Sequence, residues 1–104
     1  MARLIDIAEV IRSKNSGPYE LTFDILFKDW EVFETFCARR LINHDLVASL
    51  YKISIDQIIN IVEFKPAKAI KVTIERPIPS GALGETDVYG AQQHAPWLSL
   101  EFEI

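Results

Sequence analysis

The sequence has few of the residues that build disulfide frameworks or metal sites. Its 104 residues include one cysteine, Cys37, and two histidines, His44 and His94. A single cysteine excludes an internal disulfide framework and favours a reducing compartment. The histidines do not show the close spacing of a zinc site or a two-histidine iron site, so we expect no metal. No motif predicts any other cofactor.

Long apolar runs are also missing. No stretch approaches the ~20 apolar residues that span a bilayer. Asp6 and Glu9 interrupt the apolar residues near the N-terminus, so no signal peptide is predicted. Acidic residues outnumber basic ones by 15 to 11, giving a net charge of −4, which argues against general binding to nucleic acid or anionic membranes. We therefore expect a cytoplasmic protein that binds neither nucleic acid nor membranes.

The residues that are present suffice for one folded domain. Hydrophobic residues make up 49% and charged residues 25% of the chain, which is typical of globular proteins. The length lies near the commonest domain size. There are no internal repeats, linkers or low-complexity tracts. We therefore treat residues 1–104 as a single domain.

Alternation of apolar and polar residues predicts the strands. It is clearest over 19–27 and recurs over 69–75 and 97–104, with a short strand at 61–64. The segment 4–11 is ambiguous, because its apolar spacing fits a helix while its β-branched residues favour a strand. We assign it to a strand.

Helices are predicted in the middle of the chain. Asp29 is a candidate N-cap for a first helix with apolar residues at spacings of three and four, and a second helix begins after Asn43. Ser54 and Gln57 form a capping-box pair for a third, short turn that carries Ile55, Ile58 and Ile59. Two strands, a helical block and three strands predict an α+β fold. We expect a ferredoxin-like sandwich, with a mostly antiparallel sheet of about five strands and two to three helices on one face.

Two segments follow no period. The first, RSKNSGP at 12–18, supports two interpretations. Gly17 can adopt positive φ and let backbone N–H groups converge on an anion, with Arg12 and Lys14 adding charge. The same residues are also ordinary components of a hairpin turn. The candidate binding residues are Arg12, Ser13, Lys14, Asn15 and Gly17.

The second segment covers 77–96 and ends in DVYGAQQHAP. Structureless loops of this length are uncommon in compact domains and are often functional. Asp87, Tyr89 and His94 can transfer protons and are the candidate catalytic residues, while Gln92 and Gln93 can orient a polar ligand. Alternatively, these groups anchor the loop through their own hydrogen bonds. The functional interpretation requires both segments to meet in one cleft that accepts an anionic ligand.

Three long motifs that follow no helical or strand period carry a family resemblance. IRSKNSGPYELTFDI, LYKISIDQI and TDVYGAQQHAPWL resemble a small bacterial family of unknown function. Its members occur as free proteins or fused to proteins like those of acyclic terpene utilisation (AtuA-like). The resemblance implies a ferredoxin-like fold and a partnership with an AtuA-like protein in the breakdown of a carboxylic acid or its coenzyme A ester.

These observations predict a small subunit or accessory protein. It would bind an anionic small molecule, a carboxylate or acyl-CoA-like group, and help to complete a lyase- or isomerase-type active site with an AtuA-like subunit. Whether the chain is itself an enzyme stays open. The alternative is a non-catalytic module that forms homo-oligomers, because the apolar terminal strand offers an edge for sheet extension.

Overall fold

The structure is a computed structural model, and it describes residues 2–17, 19–75 and 95–103. Five of the predicted site residues lie outside this part of the chain: Asp87, Tyr89, Gln92, Gln93 and His94.

A four-stranded antiparallel sheet forms the centre of the fold. Its strands are β2 (Ala8–Gly17), β3 (Glu20–Phe27), β4 (Ile58–Phe64) and β5 (Ala69–Glu75), in the order β2-β3-β5-β4. Both β3 and β4 run antiparallel to β5 and are therefore parallel to each other. The helical block joins them in a split β-α-β unit. This arrangement confirms the α+β prediction and is consistent with a ferredoxin-like sandwich.

Three helices and two very short strands complete the described fold. The predicted helices are confirmed as α2 (Trp30–Arg39) and α3 (His44–Tyr51), and a one-turn helix, α1 (Leu4–Ile7), precedes β2. Strands β1 (Ala2–Arg3) and β6 (Glu101–Phe102) pair antiparallel in a separate small sheet. Short 3₁₀ turns lie at Ile55–Gln57, Lys65–Ala67 and Ala95–Ser99.

The core lies between the helices and one face of the sheet. Alternate residues of β3 point to this face and are fully or almost fully buried: Leu21, Phe23, Ile25 and Phe27. Phe33 and Phe36 of α2 pack on Phe27, with ring centroids 6.1 and 4.6 Å away. The apolar spacing of α2 therefore supplies one half of the core and the alternation of β3 supplies the other.

The strand prediction for 4–11 is wrong at its beginning. Leu4–Ile7 form a helical turn, and the strand begins only at Ala8. Leu4 is fully buried, and its backbone N–H donates to the Leu100 carbonyl at 2.9 Å. The local sequence fits a helix and a strand equally well. The contact of Leu4 with Leu100, almost 100 positions away, favours the helical turn.

The segment 12–17 is not a loop but the second half of β2. Arg12 pairs with Asp24, Lys14 with Thr22, and Gly17 with Glu20. The backbone groups of Gly17 therefore belong to the hairpin ladder and do not form the predicted anion-binding loop. The segment has no apolar alternation because residues 12–15 are polar on both faces of the strand.

The C-terminal strand prediction is largely wrong, because Ala95–Ser99 form a 3₁₀ turn and, up to residue 103, the strand is limited to Glu101–Phe102. The turn inserts Trp97, which is fully buried, beside the rings of Phe23 and Tyr51 at 5.7 and 6.3 Å. Strand β4 also begins earlier than predicted, so Ile58 and Ile59 belong to it and not to the preceding turn.

The caps of α2 and α3 provide a matched test of local helix stabilisation. The Asn43 side chain accepts a hydrogen bond from the Leu46 N–H at 2.9 Å, whereas Asp29 occupies the N-cap position of α2 without a side-chain cap hydrogen bond. We expect Asn43→Ala to lower the free energy of unfolding by about 1 kcal/mol and Asp29→Ala by less than about 0.5 kcal/mol. Urea denaturation of both variants measures the difference, and equal losses would contradict the assignment.

Candidate functional site

The sheet face that points away from the core carries a group of polar side chains. In antiparallel strands, directly opposed residues share a face. One row across the sheet joins Arg12, Asp24 and Lys71, and the next joins Lys14, Thr22 and Thr73. We call these six residues the polar face.

The centre of the polar face is an ion pair with one buried partner. Arg12 Nε donates to Asp24 Oδ2 at 3.0 Å. The Asp24 side chain is only 1% exposed, whereas that of Arg12 is 57% exposed. The second carboxylate oxygen, Asp24 Oδ1, is buried and has no hydrogen-bond partner among the described residues. A buried acceptor that lacks a hydrogen-bond partner is uncommon, and such groups often mark a bound water, an ion or a functional role.

Lys71 lies on the other side of Asp24. It is opposed to Asp24 in the β3–β5 register, and its ammonium lies 5.4 Å from the centroid of the Phe64 ring. A cation at this distance from an aromatic face is attracted by the ring quadrupole. The buried carboxylate therefore lies between two cationic residues, one on each neighbouring strand.

The second row adds hydroxyl groups and a third cation. The hydroxyls of Thr22 and Thr73 lie 3.2 Å apart, close enough for a hydrogen bond. Lys14 is opposed to Thr22 and exposed. The polar face thus combines three cations with one carboxylate, and the adjoining row of the same sheet face carries two exposed carboxylates, Glu20 and Glu75. Among the described residues, Arg12 contacts Asp24 through its Nε, and a guanidinium held in this way can present its terminal nitrogens to a carboxylate or phosphate.

The structure divides the predicted site residues of the first segment. Arg12 and Lys14 lie together on the polar face. Ser13 and Asn15 lie opposite Phe23 and Leu21 and so point to the core side of the sheet. Gly17 lies at the end of the hairpin. The predicted meeting of 12–17 with 87–94 involves residues outside the described part of the chain and stays a prediction.

Sequence analysis missed four members of the polar face: Thr22, Asp24, Lys71 and Thr73. Each stands at a polar position of a correctly predicted strand, where the alternation indicates only a solvent-facing side chain. A charged residue at the middle of a strand is a weak signal of a site. The strand order and register that place Asp24 between Arg12 and Lys71 are not local properties, so the pattern within one strand does not reveal the group.

A second feature is a cleft of about 490 Å³ between the α2–α3 connection and β4. Arg40, His44 and Glu63 line it together with apolar residues. Near it, burial and the carboxylate of Glu63 raise the pKa of Cys37 to about 11. The thiol is therefore protonated near neutral pH and is a poor nucleophile.

Tyr51 is the other described residue of this helical layer with a shifted acidity. Burial raises the pKa of its hydroxyl far above the ordinary value, so it stays neutral. The neighbouring Trp97 indole opposes this rise, although its Nε1 does not reach hydrogen-bonding geometry with an acceptor in residues 2–17, 19–75 or 95–103. We assign Tyr51 a packing role, because its ring stacks on Phe23 with centroids 4.7 Å apart.

Within residues 2–17, 19–75 and 95–103, no three histidine, cysteine or acidic side chains come close enough together to hold a metal ion. In the same residues, no helix is both long and apolar enough to cross a membrane.

The fold and the polar face define a small α+β domain with a charged sheet surface. The family profile of a domain of unknown function (DUF4387) matches residues 4–101. The chain belongs to this family, as the resemblance of its three long motifs predicted. No functionally curated protein matches the chain significantly, and no solved structure does.

Proposed function

We propose that the chain is a small accessory subunit that binds an anionic small molecule on its polar face. The ligand carries a carboxylate or an acyl-CoA-like anionic group. Arg12, Lys14 and Lys71 bind the anionic group, and the buried Asp24 holds Arg12 in place. The observation that supports this proposal most strongly is the grouping of these three cations near one buried carboxylate on an otherwise acidic chain.

The ion pair supports binding because it orders the guanidinium in advance. A free arginine side chain loses rotamer freedom when it binds a ligand, which weakens affinity. In this structure the Nε of Arg12 is already held 3.0 Å from Asp24, so the terminal nitrogens face a fixed direction. A planar pair of donors is well matched to a carboxylate.

The proposed partner follows from the resemblance to domains fused to AtuA-like proteins. A domain of 104 residues with its polar groups on an open sheet surface encloses little of a ligand, whereas most small-molecule sites bury the larger part of theirs. We therefore propose that an AtuA-like subunit covers the polar face and completes a lyase- or isomerase-type active site. The predicted catalytic residues Asp87, Tyr89 and His94 belong to this proposal, as does a cytoplasmic location.

Binding measurements test the polar face directly. We expect acetyl-CoA or acetate to bind the isolated protein in isothermal titration calorimetry, and Lys71→Met and Lys14→Ala each to weaken the affinity by about tenfold, since a hydrogen bond to a charged group is worth about 1.5 kcal/mol. Lys52→Met is the control, because Lys52 is exposed at the end of α3 and lies away from the polar face.

The variants avoid Arg12, whose loss would leave Asp24 without its ion-pair partner. If neither acetate nor acetyl-CoA binds, or if all three variants weaken binding equally, the polar face is not the ligand site. Co-purification with an AtuA-like protein then tests the partnership separately.

A further inference from the structure

Strand β4 exposes an unusual amount of apolar surface for an outer strand. Among the described strands it pairs only with β5. Ile59, Val62 and Phe64 are 45%, 45% and 46% exposed, and Ile55 just before the strand is 50% exposed. A long outer strand with unpaired backbone groups and apolar side chains is a template for pairing with another strand.

The opposite edge of the sheet is built differently. Strand β2 has register irregularities near both ends, between Ala8 and Val10 and between Asn15 and Gly17. Its exposed side chains include Glu9, Arg12 and Lys14. Bulges and charged side chains are the devices by which proteins protect an edge from pairing. Strand β4 also has one register irregularity, between Ile58 and Asn60, but it carries one charged residue, Glu63, among exposed apolar side chains. Among the described strands, β4 is therefore the less protected edge of the sheet.

We infer that β4 is the interface at which two copies of this chain pair antiparallel. The two four-stranded sheets then join into one sheet of eight strands. The inference does not require ligand binding on the polar face, although β4 adjoins that face and Phe64 contacts Lys71.

The charges at the ends of β4 favour a second copy as the occupant. Asp56 lies just before the strand and Lys65 just after it, and both are exposed. Antiparallel pairing about a two-fold axis brings the Asp56 end of each copy to the Lys65 end of the other. The arrangement therefore forms two complementary contacts from one sequence, as a symmetric interface requires.

The single charge within β4 does not oppose this pairing. With the two-fold axis at Ile61, the middle of the strand, Glu63 of one copy lies opposite Ile59 of the other. The two Glu63 residues are then four positions apart along the strand direction, roughly 13 Å at ~3.4 Å per residue. That separation exceeds the screening length of about 8 Å at physiological salt, so their repulsion is weak.

The geometry also relates the two polar faces. A two-fold axis that pairs antiparallel strands is normal to the sheet, so both helical layers lie on one side and both polar faces on the other. A dimer therefore presents both polar faces on one side, with the exposed apolar side chains of Val62 and Phe64 from each copy between them.

Sedimentation velocity over a concentration series to about 500 µM tests the inference. We expect a reversible dimer and at least tenfold weaker association for Val62→Lys, because a charge is placed in the paired strand. Ile5→Lys is the control, since Ile5 has the same 45% exposure but lies in α1, and its dimerisation constant should be unchanged. Far-UV circular dichroism checks that both variants are folded.

A charge-reversal cycle tests the antiparallel arrangement. We expect Asp56→Lys and Lys65→Asp each to weaken the dimer about tenfold and the double variant to restore it, because the reversed pair is again complementary. A strictly monomeric protein, a dimer insensitive to Val62→Lys, or a double variant without recovery would each overturn the inference. Monomers that associate only with another protein would make the occupant a different chain.

Discussion

Replacing Trp97 with alanine is expected to lower the free energy of unfolding by about 3–5 kcal/mol, the largest effect of any single substitution proposed for this protein. Trp97 is fully buried and lies 5.7 Å from Phe23 and 6.3 Å from Tyr51, measured between ring centroids. Its removal leaves a cavity beside the aromatic residues of β3 and α3 and releases the C-terminal turn. Thermal unfolding should show a midpoint more than about 10 °C lower.

Two further substitutions separate packing from hydrogen bonding. Trp97→Phe should cost only about 1–2 kcal/mol, since it retains an aromatic ring and removes a buried indole N–H that has no partner among the residues the structure describes. Trp30→Ala is the exposed control, because Trp30 is 49% exposed at the start of α2, and we expect a loss of about 1 kcal/mol. Similar losses for Trp97→Ala and Trp30→Ala would show that the C-terminal turn is not docked as described.

Arg12→Ala is expected to destabilise the protein by about 2–3 kcal/mol. The substitution leaves Asp24, 1% exposed, as a buried carboxylate without its cation. Loss of one partner of a fully buried ion pair costs about 3–5 kcal/mol, and we reduce this figure because the Arg12 side chain is 57% exposed and partly screened by water. Denaturant unfolding measures the loss.

The matched control is the second ion pair of the described chain. Arg3 contacts Asp6 at the same 3.0 Å distance, but both side chains are more than half exposed. We expect Arg3→Ala to cost less than about 1 kcal/mol. The double variant Arg12→Ala/Asp24→Val should recover most of the stability lost in Arg12→Ala, because no buried charge remains. Without that recovery, the cost would come from packing of the arginine stem.

The polar face places stability and the proposed binding in the same residues. Asp24 fixes Arg12, and its second oxygen has no partner in the described part of the chain, so the arrangement costs free energy that an apolar pair at these positions would not. A protein without a function for this face gains nothing from it. The double variant therefore distinguishes the two roles: near-normal stability combined with loss of anion binding would identify the ion pair as a binding device.

Local sequence determined the elements that depend on neighbouring residues. The alternation over 69–75 predicted β5 with its observed bounds, and Asn43 marked the start of α3 because its side chain caps the first turn. The three long non-periodic motifs of the chain identified its family. The strand and the start of the helix depend on residues a few positions apart along the chain. The family assignment depends on the sequence alone.

Tertiary structure decided the rest. Leu4 and Trp97 adopt helical turns because both are buried against distant residues. The local pattern was ambiguous around Leu4 and predicted an extended chain around Trp97. Arg12 and Lys14 lie in a strand, and Asp24 and Lys71 join them, only through the register of β2, β3 and β5. Sequence fixes which side chains alternate along one strand, whereas pairing between strands fixes which charges meet, and that pairing is set by the packing of the whole sheet on its core.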